Sequence, residues 1–338
     1  MSQTASVGGR QVKEPRIGRA MRSNFAVVIP ALNESENIPE LFGELDAAFR
    51  RHDLDGEIIY VDDGSTDDSF EVASREGARL SRFKLERHER NLGKTEALAT
   101  GALAASSDWI VLFDADLQHL PEEIPRFLAE AEKGYDMVCG RKVGRYNKQL
   151  VSRIYNWLSR RMFQVPVRDL NSMKIFRKSV LEDVHLRHDW HRFFAVLAHS
   201  KGYKVGEIDV DLLPRRRGES KYYGSGRLLV GTLDLLAVWF QQRFSRKPML
   251  FFGVTGLVLL TVAGVTGGVA VGMRLAGHGF RPLLDLVLLL SLVGVSLFGI
   301  GFVAEMVATL RAEVDDLRDI VRELKDRDKG GPVKGPGG

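Results

Sequence analysis

Between Met249 and Met273 the chain carries no charged residue, and between Leu283 and Ala304 it carries only Asp285, near the start of that run. Apolar stretches of this length leave few folds open. A helix of about 25 residues at about 1.5 Å each exceeds the roughly 30 Å of bilayer hydrocarbon and crosses it with some tilt. The alternative is a pair of buried core helices, which the lengths disfavour. Arg243, Arg246 and Lys247 precede the first run and Arg311, Arg318, Arg322 and Lys325 follow the second, whereas the connecting loop has only Arg274 and Arg281. An excess of Lys and Arg marks cytoplasmic flanks, so the pattern predicts a transmembrane hairpin over 249–310 with both termini cytoplasmic. Residues 1–23 are basic and lack an apolar core, so no signal peptide is expected, the segment reads as disordered, and the first span does the targeting.

The remainder of the 338 residues is ample for a soluble domain. The formal net charge of +4 is modest, and no nucleic-acid partner is expected. A single cysteine, Cys139, excludes an intrachain disulfide and, in an apolar stretch, reads as a buried structural thiol of a reducing compartment. Residues 25–29, 57–61, 83–87, 109–113 and 135–139 have strand character, and 35–51, 67–79, 93–106 and 121–133 have helical patterns. Strand and helix in alternation predict a mostly parallel, wound α/β sheet.

Two of these strands run into acid. Val111-Leu112-Phe113 is followed by Asp114-Ala115-Asp116-Leu117-Gln118, and period-two alternation sends both carboxylates to one side. Ligands of this kind suit Mg²⁺ or Mn²⁺, which complete their shells with phosphate and water. Ile58-Ile59-Tyr60-Val61 likewise ends in Asp62-Asp63-Gly64-Ser65-Thr66-Asp67. Ligands of open parallel sheets sit beyond the carboxyl ends of the strands, so the two clusters are expected to line one cleft around a metal-bound diphosphate. A dinucleotide fold is disfavoured, because Pro30-Ala31-Leu32-Asn33-Glu34 replaces the glycine-rich turn. Gly93-Lys94-Thr95 ends like a phosphate-binding loop but has His88 where that motif needs glycine, and reads instead as a helix entrance whose Lys94 can reach the donor.

Val28-Ile29-Pro30-Ala31-Leu32-Asn33-Glu34, Val61-Asp62-Asp63-Gly64-Ser65, Asn91-x-Gly93-Lys94 and Asp114-Ala115-Asp116-Leu117-Gln118 together resemble family 2 glycosyltransferases of the GT-A fold. His191-Arg192-Phe193-Phe194 and Arg215-Arg216-Arg217-Gly218-Glu219-Ser220-Lys221 look like the dolichol-phosphate mannose synthase and polyprenyl-phosphate glycosyltransferase branch. The resemblance covers about residues 24–310. It implies inverting transfer of one sugar from a nucleotide-sugar, GDP-mannose or a UDP-hexose, to a polyprenyl or dolichyl phosphate. It further implies that Pro30, Leu32, Asn33, Glu34, Asp62 and Asp63 hold the nucleoside, that Asp114, Asp116 and Gln118 bind metal and diphosphate, and that Arg141 faces the reacting phosphates. One departure from the family pattern is Asp169-Leu170-Asn171-Ser172-Met173, where relatives have a glycine-containing turn.

A phosphate monoester with a second pKa of about 6 is already largely dianionic at neutral pH, so such an acceptor needs neutralisation rather than a general base. Arg215, Arg217 and Lys221, with Arg192, are the candidates, and the same basic stretch also suits anionic lipid. Residues 24–225 would then be the catalytic domain and 226–248 an interfacial helix seating it on the bilayer. Residues 152–163 are either a second such helix or an ordinary amphipathic surface helix. Leu310, Val314, Leu317, Val321 and Leu324 give the charged helix 311–328 a short heptad seam and a route to homo-oligomers, and the Gly/Pro-rich 329–338 reads as a disordered tail. A processive polysaccharide synthase is disfavoured by having only two spans after the catalytic domain and by Gln241-Gln242-Arg243-Phe244 in place of its acceptor motif. A non-catalytic anchor or flippase partner would have no use for intact Asp62, Asp63, Asp114, Asp116 and Arg141.

Overall fold

The computed structural model describes residues 4–7, 10–13, 16–143, 161–163, 165–184, 186–188, 190–213, 226–244 and 247–328. They form two compact units, Met1–Leu228 and Leu229–Gly338.

In the first unit, β3 (Phe25–Ala31), β4 (Glu57–Asp62), β5 (Phe83–Arg87), β6 (Trp109–Leu112), β7 (Met137–Val143), β8 (Lys174–Arg177) and β9 (Val205–Asp211) build one sheet in the order β5-β4-β3-β6-β8-β7-β9. Only β8 runs against its neighbours; the pairings of β3, β4, β5 and β6, and of β7 with β9, are parallel. The sheet is thus the mostly parallel, wound one that the alternation predicts. β8 and β9 escape sequence reading: Lys174-Ile175-Phe176-Arg177 is short and charged at both ends, and β9 mixes glycine and acids with its apolar residues. Both are strands because the sheet edges available to them pair with them, which is a non-local cause.

Helices α1 (Ile38–Arg51), α2 (Ser69–Gly77), α3 (Lys94–Ala104) and α4 (Ile124–Ala131) cover the sheet. α1 buries Ile38, Leu41, Phe42, Leu45 and Phe49, a helical-period stripe, and has Pro39 in its first turn and Arg50 and Arg51 in its last. Phe42 meets Tyr60 and Phe83 edge-on, with centroids 5.7 and 5.3 Å away. On the opposite face α3 approaches through Gly101, where a Cβ would lie 2.3 Å from Val28 Cγ1. Covered on both faces, β4 and β6 are buried at every position, which is why they read as unbroken apolar runs.

The N-terminal segment, for which the sequence suggests disorder, carries two four-residue strands. β1 (Thr4–Val7) and β2 (Arg10–Lys13) pair antiparallel with Val7 opposite Arg10.

Glu57, at the start of β4, is buried, and its carboxylate accepts from Lys84 Nζ at 2.8 Å, Ser106 N at 3.1 Å and Ser107 Oγ at 2.5 Å. Burial raises its pKa, but the bonds from Lys84 and Ser107 outweigh this and bring it from 4.5 to about 2. A depressed folded pKa means that the stabilisation is complete above about pH 4.5 and is lost as the pH falls to about 2. We expect this group to account for roughly 3 kcal/mol of acid destabilisation, and Glu57→Gln to flatten that part of the curve in denaturant titrations of the full chain in detergent.

The second unit is helical, with elements at Gly226–Phe244, Pro248–Leu275 and Arg281–Asp328. The last two are long and apolar enough to cross a membrane, over Pro248–Leu275 and Arg281–Val314, and most of their apolar surface faces outward. They mark the chain as a membrane protein. Glycines let the two helices close on each other, since a Cβ on Gly256 would sit 2.7 Å from the Gly294 carbonyl oxygen. Glu305 Oε2 accepts from Met249 N at 3.1 Å and caps the start of the first apolar helix. Phe240 meets Phe251 edge-on at 5.5 Å and Phe244 packs tilted against it at 4.7 Å, joining Gly226–Phe244 to that helix. The 311–328 segment continues the second apolar helix without a break, and Leu310, Val314, Leu317, Val321 and Leu324 are exposed along it. The predicted tail 329–338 and most of the predicted helix 152–163 lie outside the described residues.

Candidate active site

Register brings the acidic clusters together. β3 lies between β4 and β6, with Ala31 opposite Asp62 and Val28 opposite Leu112, so the carboxyl ends of all three strands open on one edge. The chain leaves β3 for β4 on one side and later reaches β6 on the other, which makes this edge a topological switch point.

On the β3–β4 side the loops are bonded to each other. Asn33 N donates to Ser65 Oγ at 2.8 Å, Thr66 N to Asn33 Oδ1 at 2.7 Å, Glu34 N to Ser69 Oγ at 2.8 Å, and Ser35 Oγ to Asp67 Oδ2 at 2.8 Å. Asn33 takes φ of 54°, a left-handed conformation that asparagine tolerates. Pro30, at the end of β3, and the half-buried Leu32 and Glu34 belong to the same wall.

The predicted pair Asp62–Asp63 divides its work. Asp63 accepts from Leu92 N at 2.9 Å, Gly93 N at 2.8 Å and His88 Nδ1 at 2.7 Å, so its carboxylate anchors the entrance to α3. Asp62 is 0% exposed, neither carboxylate oxygen accepts a hydrogen bond, and Arg87 Nε stands 3.4 Å from Oδ2. A buried carboxylate with unused acceptor capacity is costly unless a ligand donates to it.

On the β6 side, Lys94 Nζ at the start of α3 forms an ion pair with Asp114 Oδ1. Burial raises the Asp114 pKa, but Lys94 and then His119 overcome it and hold the carboxyl well below the usual range. Asp116 Oδ1 accepts from Gln118 N at 3.2 Å, and Gln118 Nε2 donates to the Leu213 carbonyl at 3.3 Å. Between them Leu117, buried, takes φ of 57°, a strained conformation for leucine that turns the acidic loop over the strand end.

The structure adds residues that sequence reasoning missed. His119 is buried, and burial pushes its pKa down to about 4 against the pull of Asp114, so the imidazole is neutral at pH 7. His191, facing Thr95 Oγ1 at 3.4 Å, is likewise lowered to about 2, by burial and then by Lys94. Lys174 is 1% exposed and donates to the carbonyls of Ser172 at 3.0 Å and Leu170 at 3.4 Å; among the described residues no carboxylate lies within 4.0 Å of its ammonium. Lys142 Nζ reaches the Asn171 carbonyl at 2.5 Å. A lysine inside Met173-Lys174-Ile175-Phe176 was the one available signal, because charge in an apolar run has to be accounted for.

Arg141, expected to face phosphate, has a carboxylate partner in this structure. Its guanidinium clasps Asp209 across the β7–β9 ladder, Nε to Oδ1 at 2.5 Å and Nη2 to Oδ2 at 2.7 Å, while Arg126 Nη2 holds the Asp209 carbonyl at 2.8 Å. Arg192 lies in the 3₁₀ turn Trp190–Phe193, beside His191. Arg215, Arg217 and Lys221 are outside the described residues. The oxygens of Asp114, Asp116 and Gln118 are hard donors that fit Mg²⁺ or Mn²⁺ with phosphate completing the shell; among the described residues no group of three or more His, Cys, Asp or Glu offers a self-sufficient cage.

The family model of glycosyl transferase family 2 matches residues 26–197, the part of the chain that carries these strands and loops. The chain belongs to that family. It is 33% identical over 299 residues to dodecaprenyl-phosphate galacturonate synthase of Rhizobium johnstonii, covering 84% of this chain and 87% of the relative. It is 30% identical over 304 residues to undecaprenyl-phosphate 4-deoxy-4-formamido-L-arabinose transferase of Klebsiella pneumoniae, covering 86% and 89%. The fold matches glucosyl-3-phosphoglycerate synthase of Mycobacterium tuberculosis, solved with Mn²⁺ and UDP-glucose, at a TM-score of 0.53 and 18% identity over 66% of this chain and 81% of that one. The catalytic unit is therefore a GT-A glycosyltransferase domain, and the protein is a glycosyltransferase.

Proposed function

We propose that the enzyme transfers one sugar, with inversion, from a nucleotide-sugar to a polyprenyl phosphate at the cytoplasmic membrane face. The observation that carries this is a switch-point site of oxygen donors in a chain that also holds an apolar hairpin and aligns over most of its length with polyprenyl-phosphate sugar transferases. GDP-mannose or a UDP-hexose is the donor class.

Asp62 accepts from the base, within the wall formed by Pro30, Leu32, Asn33 and Glu34, and Asp63 acts through the turn it anchors. Asp114, Asp116 and Gln118 hold Mg²⁺ or Mn²⁺, which when bound supplies positive charge to the leaving diphosphate. Lys94 and Arg141 add cationic donors on either side, Arg141 by exchanging Asp209 for phosphate. The acceptor phosphate is a dianion at neutral pH, so Arg192, Arg215, Arg217 and Lys221 need only neutralise it and bring it in line.

The test is an assay of membrane fractions with a panel of labelled nucleotide-sugars and polyprenyl phosphate. A single-sugar lipid product from one donor is expected; polymer, or no transfer from any donor, overturns the proposal. Labelling of intact cells should reach only the loop around Gly277, and external proteolysis of the N-terminal unit would reverse the topology.

A further inference from the structure

We propose that Lys94 is a placeholder at the metal carboxylate, whose ammonium must leave Asp114 before a divalent cation is held there, so that cation and diphosphate binding are coupled. This rests on the metal role given above to Asp114.

Lys94 opens α3, where the unpaired N–H groups of the first turn already present positive charge and a cation is unfavourable. Gly93 at the N-cap has no side chain to offset it, and the first-turn acid, Glu96, faces His188 Nδ1 at 3.1 Å. The ammonium is held by the ion pair with Asp114 Oδ1, with the lysine side chain 24% exposed and the aspartate 36%. Other cations are near: Lys142 also acts on Asp114, and Lys174 and Arg192 act with Lys94 on His191, with Asp169 as a counter-charge to Lys174.

A divalent ion on the Asp114 carboxylate would stand within a few ångströms of the ammonium on Oδ1, where the two cations repel each other. A divalent ion arriving alone therefore has to compete with the Lys94 ammonium for Asp114. A nucleoside diphosphate changes this, because its oxygens give the ammonium a second acceptor close to the one it leaves. Each ligand then makes the other bind more tightly, by the same factor in both directions. The lysine thereby discourages metal capture by the empty-handed enzyme and favours the metal–diphosphate pair.

Mn²⁺ binding to the full chain in detergent, followed by the loss of the free-ion electron paramagnetic resonance signal with and without UDP or GDP, tests this. Lys94→Met should bind Mn²⁺ alone more tightly, by between about 5-fold and 150-fold, and lose the tightening by diphosphate that the native enzyme shows. Lys94→Arg should behave as native. Lys94→Gln carries the same expectation as the Met variant and replaces it if that variant fails to fold. Unchanged or weaker Mn²⁺ binding in the folded Met or Gln variant overturns the placeholder, as does an equal gain in Lys142→Met, which would make the effect one of diffuse charge. A native enzyme that takes up no Mn²⁺ in either state overturns the metal assignment itself.

Discussion

Asp116→Asn is expected to cut sugar transfer by about three orders of magnitude while the protein still folds and inserts. The carboxylate at 116 lies on the tightly turned loop after β6, where it accepts from Gln118 N at 3.2 Å. The amide keeps the shape and the acceptor oxygen for that bond but removes the charge. A cation held by one carboxylate fewer no longer offsets the charge that develops on the leaving diphosphate, and several kcal/mol of transition-state stabilisation go with it. Asp114→Asn is a less clean experiment, since Asp114 also restrains Lys94. The measurement is turnover at saturating donor and lipid, with unfolding midpoints as the control. Near-native turnover in Asp116→Asn, or in excess chelator, would end the metal role.

Gly64→Ala is expected to be the most damaging single-methyl change in the catalytic unit. Gly64 has φ of 72°, and a Cβ there would lie 2.4 Å from the carbonyl carbon of Arg90 and 2.6 Å from Asn91 N, both backbone atoms. The left-handed conformation and the forced separation of two backbone segments together cost roughly 3 kcal/mol or more. Moving residues 90–91 also disturbs the bonds from Leu92 N and Gly93 N to Asp63, so nucleotide binding should fall along with stability. Gly43→Ala is the contrast: it lies inside α1 with nothing within 4 Å of the added methyl, and should stabilise by about 0.5–1 kcal/mol. Chemical denaturation and nucleotide titration of the two variants check both; equal stabilities would contradict the tight approach at Gly64.

The legible parts of this protein are those whose cause is local. Buried parallel strands read as apolar runs because both faces are covered, which is how β3, β4 and β6 stand out, and amphipathic period marks α1 and α4. Acid following directly on such a run singles out Asp62, Asp114 and Asp116 as candidates, and strand order brings their loops to one edge. β8 was invisible because its strand character comes from its neighbours β6 and β7, and the hairpin of β1 and β2 because four-residue alternation is a weak signal.

By itself, the sequence determined the wound α/β class, the edge on which the acids gather, and two helices long enough for a membrane, since each follows from periodicity, chain length and strand direction. Only the tertiary structure decided what each charged group faces. It gave Asp63 to the entrance of α3, left Asp62 with acceptor capacity, set Arg141 on Asp209 and put Lys94 on Asp114. Partners in these pairs lie between 20 and 68 positions apart in the chain, so no local pattern encodes them. They arise when parallel strands bring distant loops to one edge and buried charge has to find its counterpart there.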